Sequence, residues 1–156
     1  MATPADQVAL REITADTVRA VVALSVSESQ TRFVAPNAVS LSQALFSRTA
    51  WYRAICLGVQ PVGFVMLADD SLIEPLPAQP EIVVWRFMVD ARHQRQGIGR
   101  AAMRLVIDHA RSRRVFDSLK LSHVPGEGGP EPLYRSLGFV PTGKVEDGEV
   151  EMALRL

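Results

Sequence analysis

The sequence predicts an α/β (α+β) domain, and three adjoining stretches predict it. Residues 82–89, Ile-Val-Val-Trp-Arg-Phe-Met-Val, are rich in β-branched and aromatic strand formers. Gln94-Arg95-Gln96-Gly97-Ile98-Gly99-Arg100 follows as a glycine turn. Apolar residues then recur at helical spacing over 100–111. In a strand–turn–helix unit of this kind backbone N–H groups converge, and they can receive phosphate oxygens. Gly97 and Gly99 can take positive φ and put no side chain between backbone and ligand. The turn is not the GxxxxGK[ST] nucleotide loop, because no Lys-Ser or Lys-Thr follows its second glycine. It matches the dinucleotide fingerprint only weakly, because it lies well past the middle of the chain rather than near the first strand of a domain. Taken alone, it fits an ordinary helix-starting turn as well as a phosphate site.

The other elements follow in chain order. Apolar alternation predicts a strand over 8–13. Thr14 or Asp16 is placed to cap a helix reaching about Ser25, with Val18, Val21 and Val22 on one face. Residues 25–37 read as a loop or broken helix ending at Pro36-Asn37. A short helix is expected over 41–47, capped by Ser40. Strands over 51–57 and 62–68, joined through Gly58-Val59-Gln60-Pro61, form a hairpin. Residues 69–80 hold three prolines and read as a connection outside the sheet. Along the long helix, Ala101, Ala102, Leu105, Val106, His109 and Ala110 form the expected inward stripe, which makes His109 a core-edge residue. A strand over 118–124, a break at 125–130, a short helix from Glu131-Pro132 ended by Gly138, and a last strand over 150–154 complete the chain.

At 156 residues the chain fits one domain, 1–156, with a sizeable core. Its 47% hydrophobic content excludes a disordered chain. No apolar run reaches the roughly 18 residues of a membrane span, and the start carries no secretory pattern. Cys56 is the only cysteine, which fits a reducing cytoplasmic setting and excludes an internal disulfide. Lys plus Arg and Asp plus Glu both number 17, so net charge gives no sign of a nucleic-acid partner. No cluster has metal-ligand spacing.

Two segments carry a family resemblance. Phe87-Met88-Val89-Asp90 with Gln94-Arg95-Gln96-Gly97-Ile98-Gly99 resembles the acetyl-CoA-binding segment of the GCN5-related N-acetyltransferases, whose pattern is Gln/Arg-x-x-Gly-x-Gly/Ala. Downstream, Pro132-Leu133-Tyr134-Arg135-Ser136-Leu137-Gly138-Phe139 looks like the family's second segment. The stretches 85–90, 124–128 and 32–37 further resemble the bacterial spermine/spermidine, or diamine, branch.

The resemblance implies a mixed, mostly antiparallel sheet with splayed central strands, flanked by helices, and a possible homodimer. It implies acetyl transfer from acetyl-CoA to a primary amine, a polyamine or diamine first, by direct attack through a tetrahedral intermediate. Acetylation of an aminoglycoside, an amino acid or a protein N-terminus is the alternative, and a non-catalytic acyl-CoA-binding module is another. Phe87, Met88 and Val89 would align the pantetheine arm. Gln94, Arg95, Gln96, Gly97, Ile98, Gly99 and Arg100 would hold the pyrophosphate. Tyr134 would protonate the leaving thiolate, which requires a phenolic donor within hydrogen-bond reach. Glu81 would act as base, directly or through water; His123, at the end of its strand, is placed to relay a proton near neutral pH, a role that the resemblance itself does not support. Glu28, Arg32, Phe33, Glu81 and Glu127 would line the acceptor site, the acids receiving a cationic chain. Cys56 is expected to be buried structure rather than a nucleophile.

Overall fold

The computed structural model describes residues Met1–Leu156. Seven strands form one open sheet: β1 (Val8–Arg11), β2 (Ala50–Leu57), β3 (Gln60–Asp69), β4 (Ile82–Val89), β5 (Ser118–His123), β6 (Val140–Glu146) and β7 (Glu149–Arg155). Their order is β1-β2-β3-β4-β5-β7-β6, and every pair is antiparallel except β4/β5. The helices are α1 (Val18–Ala23), α2 (Asn37–Ala44), α3 (Ile98–Arg113) and α4 (Glu131–Ser136). This is the α/β class and the mixed, mostly antiparallel sheet that the sequence led us to expect.

Strand alternation builds two cores, one on each face of the sheet. Phe64 and Met66 of β3 join Val21 and Leu24 on the α1/α2 side. Val65 and Leu67 join Ile98, Ala102, Met103, Val106, Ile107 and Ala110 of α3 on the other. Gly63 must be small, because a Cβ there would sit 2.5 Å from the Met88 carbonyl oxygen. That absence of a side chain lets β3 approach β4 closely.

The central feature is a parting of β4 from β5. Their parallel pairing covers only Ile82–Leu119, Val83–Lys120 and Val84–Leu121. On the opposite edge of β4, Leu67 partners Val84 and Met66 partners Arg86, which leaves Trp85 as an extra, unpaired residue. A bulge of this kind bends its strand and sharpens its twist. Beyond it, residues 85–89 run free of β5.

Several boundaries differ from the sequence reading. Helix α1 begins at Val18, and Thr17 takes the cap position in place of Thr14 or Asp16. The Thr14 backbone N–H donates to Thr17 Oγ1 at 2.9 Å, so both threonines are spent on the turn before the helix. Helix α2 begins at Asn37, directly after Pro36; Ser40 is buried within it rather than capping it. The buried stripe of α3 is rotated toward Met103 and Ile107, leaving Ala101, Leu105 and His109 half-buried. Strand β6 was not foreseen: it is a fully exposed edge, and Pro141 and Gly143 erase its alternation. His109 and Cys56 take the structural places expected of them. The His109 ring stacks on Trp51 at 4.2 Å, and Nε2 lies 3.2 Å from the buried Asp69 carboxylate. Cys56 is buried in β2, and that burial pushes its thiol pKa up. No helix is long and apolar enough to cross a membrane.

Candidate active site

Where β4 and β5 part, a cavity of about 740 Å³ opens. Four elements meet there: β4 from Val84 to Val89, the turn into α3, the end of β5 with its following loop, and α4. The connection between α1 and α2, from Gln30 to Pro36, closes the remaining side. The sequence builds each wall by a local rule. Parting from β5 leaves that side of β4 with N–H and C=O groups lacking ladder partners. The α3 turn uses Gly97 at φ 79° as the helix N-cap, a left-handed conformation that favours glycine. Pro132 starts α4, and Gly138 at φ 101° ends it.

The turn forms a cradle of amides. None of the backbone N–H groups of residues 94–100 donates to an acceptor within the protein; the first helical bond runs from Ala101 N–H to the Gly97 carbonyl. Orphan amides at a helix N-terminus carry partial positive charge and suit an anion. Gly99 faces the cavity, where an added Cβ would meet Leu133 at 3.5 Å and Val89 at 3.8 Å. Arg95 and Arg100 add charge to the lining. These features fit the diphosphate of acetyl-CoA, with the open edge of β4 available to its pantetheine amides.

Gln94 also holds the architecture together. Its Nε2 donates to the Val89 carbonyl at 3.0 Å and to Gln30 Oε1 at 2.9 Å, and its Oε1 accepts from Gln30 at 3.1 Å. The cradle is thereby tied to β4 and to the α1–α2 connection. Asp90 fastens the same corner. Burial would raise its pKa, but hydrogen bonds from Arg92 and the Ser25 amide outweigh that and hold the carboxyl below its ordinary range.

Tyr134 lines the cavity at 6% exposure and packs against fully buried Phe139, ring centres 5.9 Å apart. Burial pushes its phenol pKa far up, so it is a neutral hydrogen-bond donor at ordinary pH. His123, the last residue of β5, lies 6.2 Å from Tyr134 between ring centres. It is 4% exposed, and neither ring nitrogen has a partner in the protein. A buried imidazole without partners is costly unless something else satisfies it.

The structure brings together most of the expected site residues: Phe87, Met88, Val89, Gln94, Arg95, Gly97, Gly99, Arg100, His123, Tyr134, Arg32 and Phe33 all line the cavity. Gln96 is exposed outside the lining, and the Ile98 side chain is in the core under α3. The three acids are not brought to it. Glu81 lies at the paired end of the β4/β5 split, exposed, with its carboxylate 2.6 Å from Lys120 Nζ. Hydrogen bonding to Lys120 holds its carboxyl below the usual range, a poor property for a base. Glu28 is exposed on a 3-10 turn, and Glu127 is exposed in the loop after β5, where its carbonyl rather than its carboxylate accepts from Arg32 at 3.3 Å. Sequence reasoning passed over Trp85 and Arg86 as lining residues. An arginine inside an otherwise apolar central strand was the available signal. No group of three or more His, Cys, Asp or Glu side chains is placed to hold a metal.

Comparison with known proteins agrees with this architecture. Residues 23–139 match the sequence model of the acetyltransferase (GNAT) family. No curated protein sequence matches the chain. Among solved structures, a GNAT family acetyltransferase from Elizabethkingia anophelis with acetyl-CoA bound superposes with TM-score 0.66 at 17% identity, over 97% of this chain and 99% of that one. The GNAT domain of S. lividans PAT gives TM-score 0.73 at 20% identity, over 96% and 89%. The ribosomal-protein-S18-alanine N-acetyltransferase from Escherichia coli gives TM-score 0.68 at 20% identity, over 95% and 93%. With three quarters of its length matched by the family model, the chain belongs to the acetyltransferase (GNAT) family and is an acetyl-CoA-dependent N-acetyltransferase.

Proposed function

We propose that the chain acetylates a small primary amine, with Tyr134 as proton donor and His123 as proton acceptor. The observation that carries this reading is the pairing of two buried, chemically free groups where β4 leaves β5: the neutral Tyr134 phenol and the His123 ring without partners. The α3 amides and the open edge of β4 hold and orient the acyl donor. Of Met88 and Val89, only Val89 directs its backbone N–H away from β3 to that open edge, where it polarises the thioester carbonyl. The neutral amine attacks that carbonyl; a C–N bond forms and the C–S bond breaks. The amine's proton passes to His123, and Tyr134 supplies a proton to the departing sulfur.

For the acceptor, the family resemblance points to a polyamine or diamine. Glu149 is the one acidic residue in the lining that favours a cationic chain. A homodimer is part of the same reading, and sedimentation equilibrium tests it. The transfer itself is tested by incubating the protein with acetyl-CoA and a broad panel of primary amines, including spermidine, putrescine and amino acids, while following thiol release. Release that depends on an amine supports the reading. Retained CoA binding with no release for any amine would instead mark a binding module.

A further inference from the structure

The bulge in β4 has a chemical consequence on the α1/α2 face. Trp85, the extra residue, packs against the core cluster on that face. Arg86 is paired with Met66, whose side chain belongs to the same cluster. Two successive side chains are therefore sent to one face of a central strand. This puts a guanidinium group at the cavity wall, inside an otherwise apolar strand.

Arg86 is held there by neutral partners only. Its Nη1 donates to the Trp85 carbonyl at 3.0 Å and its Nη2 to Gln43 Oε1 at 3.1 Å. Its Nε is buried with no acceptor. Burial lowers its pKa, and the more distant charge of Glu149 only partly opposes that. No carboxylate oxygen lies within ion-pair distance of Arg86, nor of Arg32, another arginine of the cavity lining. Arg32 instead lies over the Phe33 ring at 4.7 Å. A half-buried guanidinium keeps its full charge and gains most from an anion that shares its desolvated site.

We infer that the acceptor amine also carries a carboxylate, which Arg86 receives while the amine meets His123. The inference rests on the amine-transfer reading above and narrows its substrate class. It runs against a polyamine, whose several ammonium groups would face Arg86 and Arg32 with only Glu149 as counter-charge. Free amino acids and acidic peptides share the chemistry that Arg86 would recognise.

The experiment compares thiol release for amines of matched length and basicity: γ-aminobutyrate, n-butylamine and putrescine. α-Amino acids beside their amides, and acidic beside amidated peptides, extend the comparison and separate a free amino acid from a peptide source. In the wild-type protein the carboxylate member of each turned-over set is expected to have the highest kcat/KM. Arg86→Gln is expected to shrink that preference about ten- to a hundredfold. Arg86→Lys should restore part of it. CoA affinity, measured on the same variants, reports whether they remain folded. The wild-type comparison decides the question even if a variant does not fold. Preference for putrescine or spermidine, or a preference that survives Arg86→Gln in a CoA-binding protein, would overturn the inference and leave amine transfer standing. No release with any amine would overturn amine transfer itself.

Discussion

Tyr134 owes its place to two neighbours in the sequence. Pro132 can open α4 because the first helical residues need no amide donor, and Gly138 lets the chain turn back so that Phe139 supports the phenol. Replacing Tyr134 with Phe keeps this packing and deletes only the hydroxyl. We expect kcat to fall about 10²–10⁴-fold, with a smaller change in CoA affinity, as steady-state kinetics and CoA titration would show. Equal turnover would remove Tyr134 as proton donor. Asp69 offers a stability test away from the cavity. Burial would raise its pKa, yet hydrogen bonds from His109 and Ser71 prevail and hold it below its ordinary value. A carboxyl with a folded pKa below its unfolded one stabilises fully above the unfolded value, near about pH 4. That contribution disappears as pH falls through the folded value. Asp69→Asn should therefore cost about 2 kcal/mol at neutral pH, and this deficit should shrink in acid. Urea midpoints measured across pH check both statements.

At the level of elements, the α3 N-terminus separates conformation from space. Gly97 needs its left-handed φ, while Gly99 lies within the helix and would give an added methyl ordinary contacts. Gly97→Ala is expected to cost about 1–2 kcal/mol of local strain. Because it also turns the cradle amides away, it should weaken CoA binding about tenfold, as isothermal titration would show. Gly99→Ala should weaken binding less. The reverse order would mean that the second glycine serves the ligand and the first serves only the fold. Several of these elements were legible from local rules. The turn at Gly58-Val59-Gln60-Pro61 and the strand-like runs flanking it showed β2 and β3, and the glycines placed the start of α3 within a few residues. Helix α2 was misplaced because a serine looked like a cap, whereas the proline before Asn37 set the start. Strand β6 was missed because an exposed edge need not alternate.

For the whole molecule, the cavity lies where two neighbouring strands stop pairing above a shared core. β4 with α3 forms one wall, and the end of β5 with α4 forms the other; only three residue pairs bond the two strands. A ligand that spans the split should therefore stabilise the entire chain. At about a hundred times its Kd, CoA is expected to add about 2.7 kcal/mol, which corresponds to a rise in Tm of about 5–10 °C for a chain of this size. Thermal denaturation with and without CoA tests this, and an unchanged Tm at saturation would count against the cavity as its binding site.

The order of strand, glycine turn and helix, together with the Tyr134 segment, determined in sequence which family this chain belongs to. Periodicity and glycine placement act over a few residues, and they determine conformation and buried face. They do not determine where two strands stop pairing. The bulge at Trp85 and the short β4/β5 register are long-range outcomes, and they alone decided what lines the cavity between these strands. They took Glu81 to a surface ion pair with Lys120 and set Arg86 and His123 along the cavity. A carboxylate close in sequence to a cavity-lining strand can thus end outside the cavity, because the pairing of the sheet assigns each strand end to the cavity or to solvent.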